Sequence, residues 1–206
     1  MRNRAWQGDP PTDDDDARDR IISAAMRCID RHGPTKTSLS DVAAELGVTR
    51  QTVYRLFAST EDLFRAVSIA AADAFVDQLA ARVKRMTDPA DMLIECMAFT
   101  IERLPKERYL SLLLVQGRAV PLDEQFTSAV PAELTRKLLE QLPVDWTTVK
   151  LTPRSTERLV EIYLRTLQSF IVDPGPPRSA RELRSLLAVW FGPAVRSCLA
   201  SQPVSR

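Results

Sequence analysis

Three consecutive polar residues, Arg50, Gln51 and Thr52, carry side chains that can recognise the edges of base pairs. Arginine makes bidentate contacts to guanine, glutamine does the same to adenine, and the threonine methyl group packs against thymine. Arg50 could instead contact a phosphate, which positions a protein on a duplex but carries no sequence information. The triplet therefore suggests an interface with nucleic acid, if one element presents all three side chains to a groove.

The sequence around the triplet predicts two short helices joined by a tight turn. Apolar residues recur at helical spacing from about Leu39 to Leu46 and from about Arg50 to Phe57. Gly47 tolerates the positive φ that a tight turn needs, and Thr49 can cap the second helix through its hydroxyl. A helix-turn-helix has this layout, and the N-terminal residues of its second helix enter the major groove.

Helical patterns also dominate the rest of the chain, and no segment shows strand-length alternation. Ser38 and Asp41 have the spacing of a capping box at the start of the first short helix. Residues 1–16, with two adjacent prolines and four consecutive aspartates, are interpreted as a disordered tail. We predict an all-α chain with helices over about 17–32, 39–46, 50–57, 59–85, 89–105, 106–116, 126–139, 155–172 and 179–199.

Composition limits the classes of function. The 206 residues carry a net charge of +1, and 45% of them are hydrophobic, as in soluble globular proteins. No apolar run approaches the roughly 18 residues that span a bilayer, and we see no secretory signal, which predicts a cytoplasmic protein with no membrane partner. The three cysteines are expected to be reduced and buried, and one histidine without a Cys-x-x-Cys pair argues against zinc.

An enzymatic function has little support. The sequence shows no glycine-rich phosphate loop, no cluster of metal ligands and no nucleophile motif with a matching base. We therefore expect a protein that is not an enzyme and needs no cofactor. Residues 17–64 hold seven basic and six acidic side chains, so DNA binding would depend on the placement of a few cations rather than on a basic field.

The segment HGPTKTSLSDVAAELGVTRQTVYRLFASTEDLF, with one helix before it and a long helix after it, resembles the N-terminal domain of the TetR family of transcriptional regulators. The matching residues run from about Ala17 to Val67. The resemblance implies contacts with double-stranded DNA, and the candidate residues are Thr37, Thr49, Arg50, Gln51, Thr52, Tyr54, Arg55 and Thr60.

Within this set, the resemblance implies that Thr37 and Tyr54 contact phosphates while the triplet faces base edges. Tyr54 could instead be a partly buried aromatic side chain between helices. Arg55 is as consistent with a solvated side chain as with a DNA contact. Thr60 stands where the family commonly has a lysine, and although its hydroxyl can bond a phosphate, the missing charge should weaken non-specific attraction.

The last two helices carry apolar residues on more than one face, which indicates burial on two sides. A single helix-turn-helix reads few base pairs, so such proteins usually pair across a two-fold axis. The resemblance implies a four-helix dimer interface, and a purely intramolecular core is the alternative. Candidate interface residues are Tyr163, Leu167, Phe170, Leu187, Trp190 and Phe191.

The resemblance also implies that the helices from about Phe75 to Leu139 enclose an effector pocket. Few charges lie on their apolar faces, so we expect an apolar or amphipathic small molecule. Glu95 or Arg103 could bind a polar end of that ligand, or could simply face water. Candidate lining residues, each of which could also be an ordinary core residue, are Met92, Cys96, Phe99, Thr100, Tyr109, Leu113 and Phe126.

The predicted organisation is a tail over 1–16, a helix-turn-helix domain over 17–64 and a helical domain for effector binding and dimerisation over 65–206. The predicted function is that of a ligand-responsive transcriptional regulator, favoured as a repressor. It would bind a pseudo-palindromic operator as a homodimer and be released by its effector. The alternative is a helical protein-interaction module without sequence-specific DNA binding.

Overall fold

The computed structural model describes residues 5–110, 129–149 and 151–200. Helices form the regular structure of these ranges, which confirms the predicted all-α class. Three short 3-10 helices cover Ala5–Gly8, Pro34–Lys36 and Leu104–Lys106. The described α-helices, in chain order, are α1 (Asp14–His32), α2 (Leu39–Leu46), α3 (Arg50–Leu56), α4 (Thr60–Val83), α5 (Pro89–Arg103), α6 (Ala129–Gln141), α7 (Pro153–Val172) and α8 (Ala180–Ala200).

The chain divides into two compact units within α4, between Ala71 and Ala72. In the first unit α1 packs against α2 and α3, and α2 packs against α3. Each helix turns one apolar face inward, because apolar residues three or four positions apart share a face. Fully buried side chains at the centre of this unit include Ile21, Ile29, Val42 and Val53.

The N-terminal segment differs from the predicted disordered tail. Helix α1 begins at Asp14, ahead of the predicted start, because the side chain of Asp13 accepts a hydrogen bond from the backbone N–H of Asp16 at 2.8 Å. Arg20 then donates to Asp16 at 2.8 Å and to the backbone carbonyl of Asp9 at 2.6 Å. The aspartate run is therefore the first turn of a helix, where negative charge is favourable.

In the second unit α8 packs against α5 and α7, and α7 also packs against α5 and α6. Gly192 permits the close approach of α8 to α5. A Cβ atom at this position would lie 3.3 Å from the Cδ1 atom of Ile94 and 3.0 Å from the guanidinium of Arg196. The core of the unit is built from fully buried side chains on α5 and α8, among them Leu93 and Leu187.

The three cysteines, Cys28 in the first unit and Cys96 and Cys198 in the second, are free and buried, as expected. Desolvation raises the pKa of each thiol above its ordinary value, to about 12 for Cys96. The thiols therefore stay protonated and unreactive at neutral pH. Within the described ranges, no helix is both long enough and apolar enough to cross a membrane.

Candidate nucleic-acid interface

The first helix of the helix-turn-helix has firmly capped ends. The Ser38 hydroxyl accepts from the N–H of Asp41 at 3.3 Å, and the Asp41 carboxylate accepts from the N–H of Ser38 at 2.9 Å, so the predicted capping box is confirmed. These bonds from Ser38 hold the pKa of the Asp41 carboxyl below its ordinary value. At the other end Gly47 adopts a left-handed φ of 66°, and the N–H of Val48 donates to the carbonyl of Ala43 at 3.0 Å.

Thr49 fixes the start of α3. Its hydroxyl accepts a hydrogen bond from the N–H of Thr52 at 3.2 Å, which confirms the predicted cap. The same hydroxyl lies 2.9 Å from the Thr52 hydroxyl and shares a second hydrogen bond with it. Because the two hydroxyls bond each other, Thr52 offers a DNA partner mainly its methyl group.

Arg50 and Gln51 occupy the exposed first turn of α3. Neither side chain makes a hydrogen bond or salt bridge with any residue that the structure describes. Val53, on the other side of the helix, is completely buried. Helix α3 therefore buries one face and presents to solvent the two side chains that can recognise guanine and adenine.

Tyr54 is 51% exposed on α3. Among the described residues, its hydroxyl has no hydrogen-bond partner. A free phenolic O–H on the exposed side of α3 can donate a hydrogen bond to a phosphate oxygen.

Arg18 of α1 stabilises the end of α3, a role that the sequence did not indicate. Its guanidinium donates to the carbonyl of Leu56 at 2.7 Å and lies 4.5 Å from the centre of the Phe57 ring. The bond satisfies one of the carbonyls that a helix C-terminus leaves without a partner, and it does so with a cation. These contacts of Arg18 therefore link α1 to the C-terminal end of α3.

Arg55 makes a two-pronged salt bridge with Asp14 in the first turn of α1. The two N–H···O distances are 2.9 and 2.8 Å, and both side chains are largely exposed. The hydrogen bond from Arg55 lowers the pKa of the Asp14 carboxyl, and the same contact raises the pKa of Arg55. In the unbound protein Arg55 therefore has a carboxylate partner rather than only water.

The two threonines at the edges of the motif differ in their freedom to contact DNA. Thr37 is only 5% exposed, and its hydroxyl donates to the carbonyl of Gly33 at 2.9 Å, so it would have to turn away from Gly33 to donate to a phosphate. Thr60 is half-buried at the first position of α4. The neighbouring Lys36, which the sequence analysis did not select, is exposed and forms no salt bridge with a described residue. Its position beside Thr37 was the signal in the sequence that could have identified Lys36 as a candidate DNA contact.

The predicted effector-pocket residues on α5 lie in or beside the core of the second unit. Met92 and Cys96 are fully buried and Thr100 is 6% exposed, with its hydroxyl donating to the Cys96 carbonyl at 2.8 Å. Phe99 is half-buried and stacks on Phe75 with ring centres 5.8 Å apart. Leu113 and Phe126 lie outside the described residues, as does most of the helix predicted over 106–116.

The Tyr163 hydroxyl lies in the same region. Its side chain is 4% exposed, and its hydroxyl lies near Thr100 and Cys96 without a hydrogen bond of acceptable geometry to any described residue. Burial raises the pKa of this phenol far above its ordinary value, so it remains a neutral O–H donor. Tyr109, another predicted pocket residue, is half-buried.

Neither charged residue proposed as a ligand anchor is free. Glu95 accepts hydrogen bonds from Arg184 at 2.6 and 2.9 Å, and Arg103 is paired with Glu107 at 2.9 Å. The Glu95 carboxylate therefore already has hydrogen-bond partners within the protein. The sequence could not reveal this because Arg184 follows Glu95 by 89 positions.

The predicted dimer residues differ in their exposure within the chain. Five of the six are buried within their own chain, where α5 packs against both α7 and α8. A partner could reach these five side chains only if this core opened. Trp190 is the exception, since it is 56% exposed, and its ring centre lies 5.7 Å from that of Phe170. The buried five are Tyr163, Leu167, Phe170, Leu187 and Phe191.

A model of the family described as "Bacterial regulatory proteins, tetR family" matches residues 21–67. Residues 21–67 are thus a TetR-family N-terminal domain. The match covers most of α1, the whole helix-turn-helix and the start of α4, which are the elements whose caps and burial are described above. This match and the relatives described next point to a transcriptional regulator and not to an enzyme.

Several known proteins are similar to this chain over most of its length. An uncharacterized HTH-type transcriptional regulator of Mycobacterium tuberculosis is 25% identical over 187 residues, covering 90% of this chain and 88% of the relative. The TetR-family repressor AlkX from Dietzia sp. is 18% identical with a TM-score of 0.63, covering 88% of this chain and 96% of AlkX. The multidrug binding protein EbrR complexed with ethidium is 25% identical with a TM-score of 0.52, covering 84% and 96%. The TetR-family fold thus continues beyond the helix-turn-helix.

Proposed function

We propose that this TetR-family protein is a ligand-responsive transcriptional regulator that binds a pseudo-palindromic operator as a homodimer. The observation that carries the proposal is the first turn of α3, which presents Arg50 and Gln51 to solvent without a hydrogen bond or salt bridge to any described residue. A capped helix with free base-reading side chains at its N-terminal end suits the major groove. A regulator of this kind works where the chromosome is, in the cytoplasm.

The described side chains suggest a division of roles at the interface. Arg50 and Gln51 read bases, since both are exposed and have the required donors and acceptors. Tyr54, Lys36 and Thr60 contact phosphates, because each brings a donor to the same motif. With so few cations, affinity for random duplexes should be low, and most of the useful affinity should come from base contacts.

Homodimer formation is supported by exposed apolar side chains on the last two helices. Val172 is 58% exposed, Val189 is 77% exposed and Trp190 is 56% exposed. The ring contact between Phe170 and Trp190 links the end of α7 to α8 at this surface. Large apolar side chains that remain grouped at the surface mark interaction sites, so we assign these three residues to the partner contact.

The effector is proposed to be an apolar or amphipathic small molecule that binds the second unit. Buried Met92 and the stacked rings of Phe75 and Phe99 suit its body. The Tyr163 hydroxyl, which has no well-formed hydrogen bond to a described residue, can bond its polar atom. A buried donor without a partner is costly, so a ligand acceptor at this place would be favourable. The similarity to EbrR, which is described as a multidrug binding protein, is consistent with a ligand of this character.

Coupling between effector and operator is proposed to run through α4, which continues from the first unit into the second. A ligand that favours one position of α4 would change the separation of the two DNA-binding heads in the dimer. It can do so only to the extent that it binds the two conformations with different affinity. Release of DNA on ligand binding would make the protein a repressor.

Selection of bound duplexes from a random pool tests the proposal. We expect an enriched inverted repeat whose half-sites lie about one helical turn, or a multiple of it, apart. Enrichment of no sequence at all would overturn sequence-specific binding. In that case Thr60 and the near-neutral charge of the first unit would favour a helical protein-interaction module instead.

A further inference from the structure

We propose that Asp14 sets the overall affinity for DNA by holding Arg55 away from the phosphate backbone. This inference rests on the proposed function, because it concerns the same interface. It goes further by naming an acidic residue outside the helix-turn-helix, Asp14, that forms a salt bridge with Arg55 of α3.

Asp14 binds Arg55 with the geometry that a phosphate group would use. Both terminal nitrogens of Arg55 donate, one to each oxygen of Asp14, at 2.9 and 2.8 Å. A guanidinium binds phosphate oxygens with the same two-pronged arrangement. Arg55 cannot make both contacts at once, so a phosphate must displace Asp14 before it can bind Arg55 this way.

Arg55 lies on the part of α3 that is assigned to DNA. Gln51 and Arg55 are four positions apart and therefore share a helix face, and exposed Tyr54 adjoins them. The Arg55 side chain remains 57% exposed even in the salt bridge. It thus stands beside the predicted base-reading and phosphate-binding side chains, but its charge is already neutralised.

The other residues of the aspartate run have different surroundings. Asp13 caps α1, and Asp16 accepts hydrogen bonds from Arg20. Asp15 is exposed and makes no hydrogen bond or salt bridge with any described residue. Asp15 therefore carries the same charge next to Asp14 without holding Arg55, and it provides a matched control.

The central experiment compares Asp14→Asn with Asp15→Asn in titrations of the selected operator and of a random duplex over a range of salt concentrations. Asp14→Asn should tighten binding to both duplexes by roughly two- to fivefold more than Asp15→Asn does, a range typical of exposed ion pairs. It should also steepen the dependence of log K on log salt concentration by about 0.9, the effect of one added phosphate contact. Equal effects of the two substitutions, or no tightening by Asp14→Asn, would overturn the proposal.

A second experiment uses Arg55→Gln, alone and together with Asp14→Asn. On the wild-type background it should change DNA affinity little, and combined with Asp14→Asn it should remove the gain. A several-fold loss from Arg55→Gln alone would mean that Arg55 already contacts DNA, which contradicts the proposal. A gain that survives Arg55→Gln would contradict it as well. Failure of the wild-type protein to bind any duplex would instead defeat the proposed function, so the two failures are distinguishable.

Discussion

Arg184 of α8 places its guanidinium across both carboxylate oxygens of Glu95 in α5, at 2.6 and 2.9 Å. The same guanidinium donates to Glu102 at 2.7 Å, and Arg82 of α4 approaches Glu95 from another side. The Glu95 side chain is only 17% exposed, so these bonds are less screened by water than salt bridges between largely exposed side chains, such as Arg165 with Glu161. One carboxylate thus connects α4, α5 and α8.

Glu95→Gln should therefore reduce the free energy of unfolding, because it leaves Arg184 and Arg82 without their shared anion. We expect a loss of about 1.5–3 kcal/mol at neutral pH, the range for hydrogen bonds to charged groups. Urea denaturation followed by circular dichroism would measure it. The control is Glu161→Gln, which removes the exposed pair of Glu161 with Arg165 and should cost less than about 1 kcal/mol.

The same substitution should alter the pH dependence of stability. The hydrogen bonds from Arg184 hold the pKa of Glu95 below 4.5, its ordinary value. A carboxyl with a lowered folded-state pKa contributes stability above its unfolded pKa and loses it as the pH falls through the folded-state pKa. The difference between wild type and Glu95→Gln should thus be constant near neutrality and shrink in acid. A difference that does not change with pH would contradict the assigned ion pair.

Arg50→Ala should relax the preference at one base position and weaken operator binding by about 1–3 kcal/mol, if Arg50 contacts guanine with two hydrogen bonds. Fluorescence anisotropy on the operator and on its single-position variants measures both effects. A uniform loss over all duplexes would instead identify Arg50 as a phosphate contact.

Tyr54→Phe should weaken binding to all duplexes about equally. The substitution removes one hydroxyl and keeps the ring, so no base-reading group is lost. Because tyrosine is neutral, the salt dependence of binding should hardly change, in contrast to the loss of a lysine that neutralises a phosphate. If base preference changes in the variant, Tyr54 reads sequence.

Two substitutions on α8 separate partner contact from internal packing. Val189→Glu places a charge on a side chain that is 77% exposed and should yield folded monomers in analytical ultracentrifugation. Leu187→Glu, two positions earlier, buries a charge at a fully buried site and should unfold the second unit. An unchanged dimer in Val189→Glu would place the partner contact elsewhere.

Effectors should raise the melting temperature and lower operator affinity together, because a ligand stabilises the state that it prefers. A thermal-shift screen of apolar and amphipathic compounds, followed by operator titration with each hit, measures both. Phe99→Trp should change ligand affinity while leaving operator affinity nearly intact. Tyr163→Phe should weaken hits that carry a hydrogen-bond acceptor more than purely apolar hits. Hits that stabilise the protein without changing operator affinity would show that the ligand is not a switch.

Local sequence features predicted the helix-turn-helix well. The bounds of α2 follow from the Ser38 cap and Gly47, and the start of α3 follows from Thr49, all of which act within four residues. Contacts between distant positions could not be read in this way. Asp14 precedes Arg55 by 41 positions, and no periodicity reveals such a pair.

The second half shows a different limit of sequence reasoning. Apolar periodicity along α7 and α8 identified which faces are buried, but not what buries them. Leu187 satisfies the pattern for a partner contact and for an internal one equally well, and in the structure it is fully buried on α8, which packs against α5. The proposed partner contact therefore relies on Val189 and Trp190, which remain exposed on α8.

The buried cysteines give the protein built-in probes of its own local opening. A thiol reagent reaches Cys28 only when the first unit opens, and reaches Cys96 only when the core around α5 does. Local openings in one molecule span a wide range of free energies, so the two thiols should be labelled at separate rates. Mass spectrometry could follow both rates in the unmodified chain and show which unit an added operator or small molecule closes.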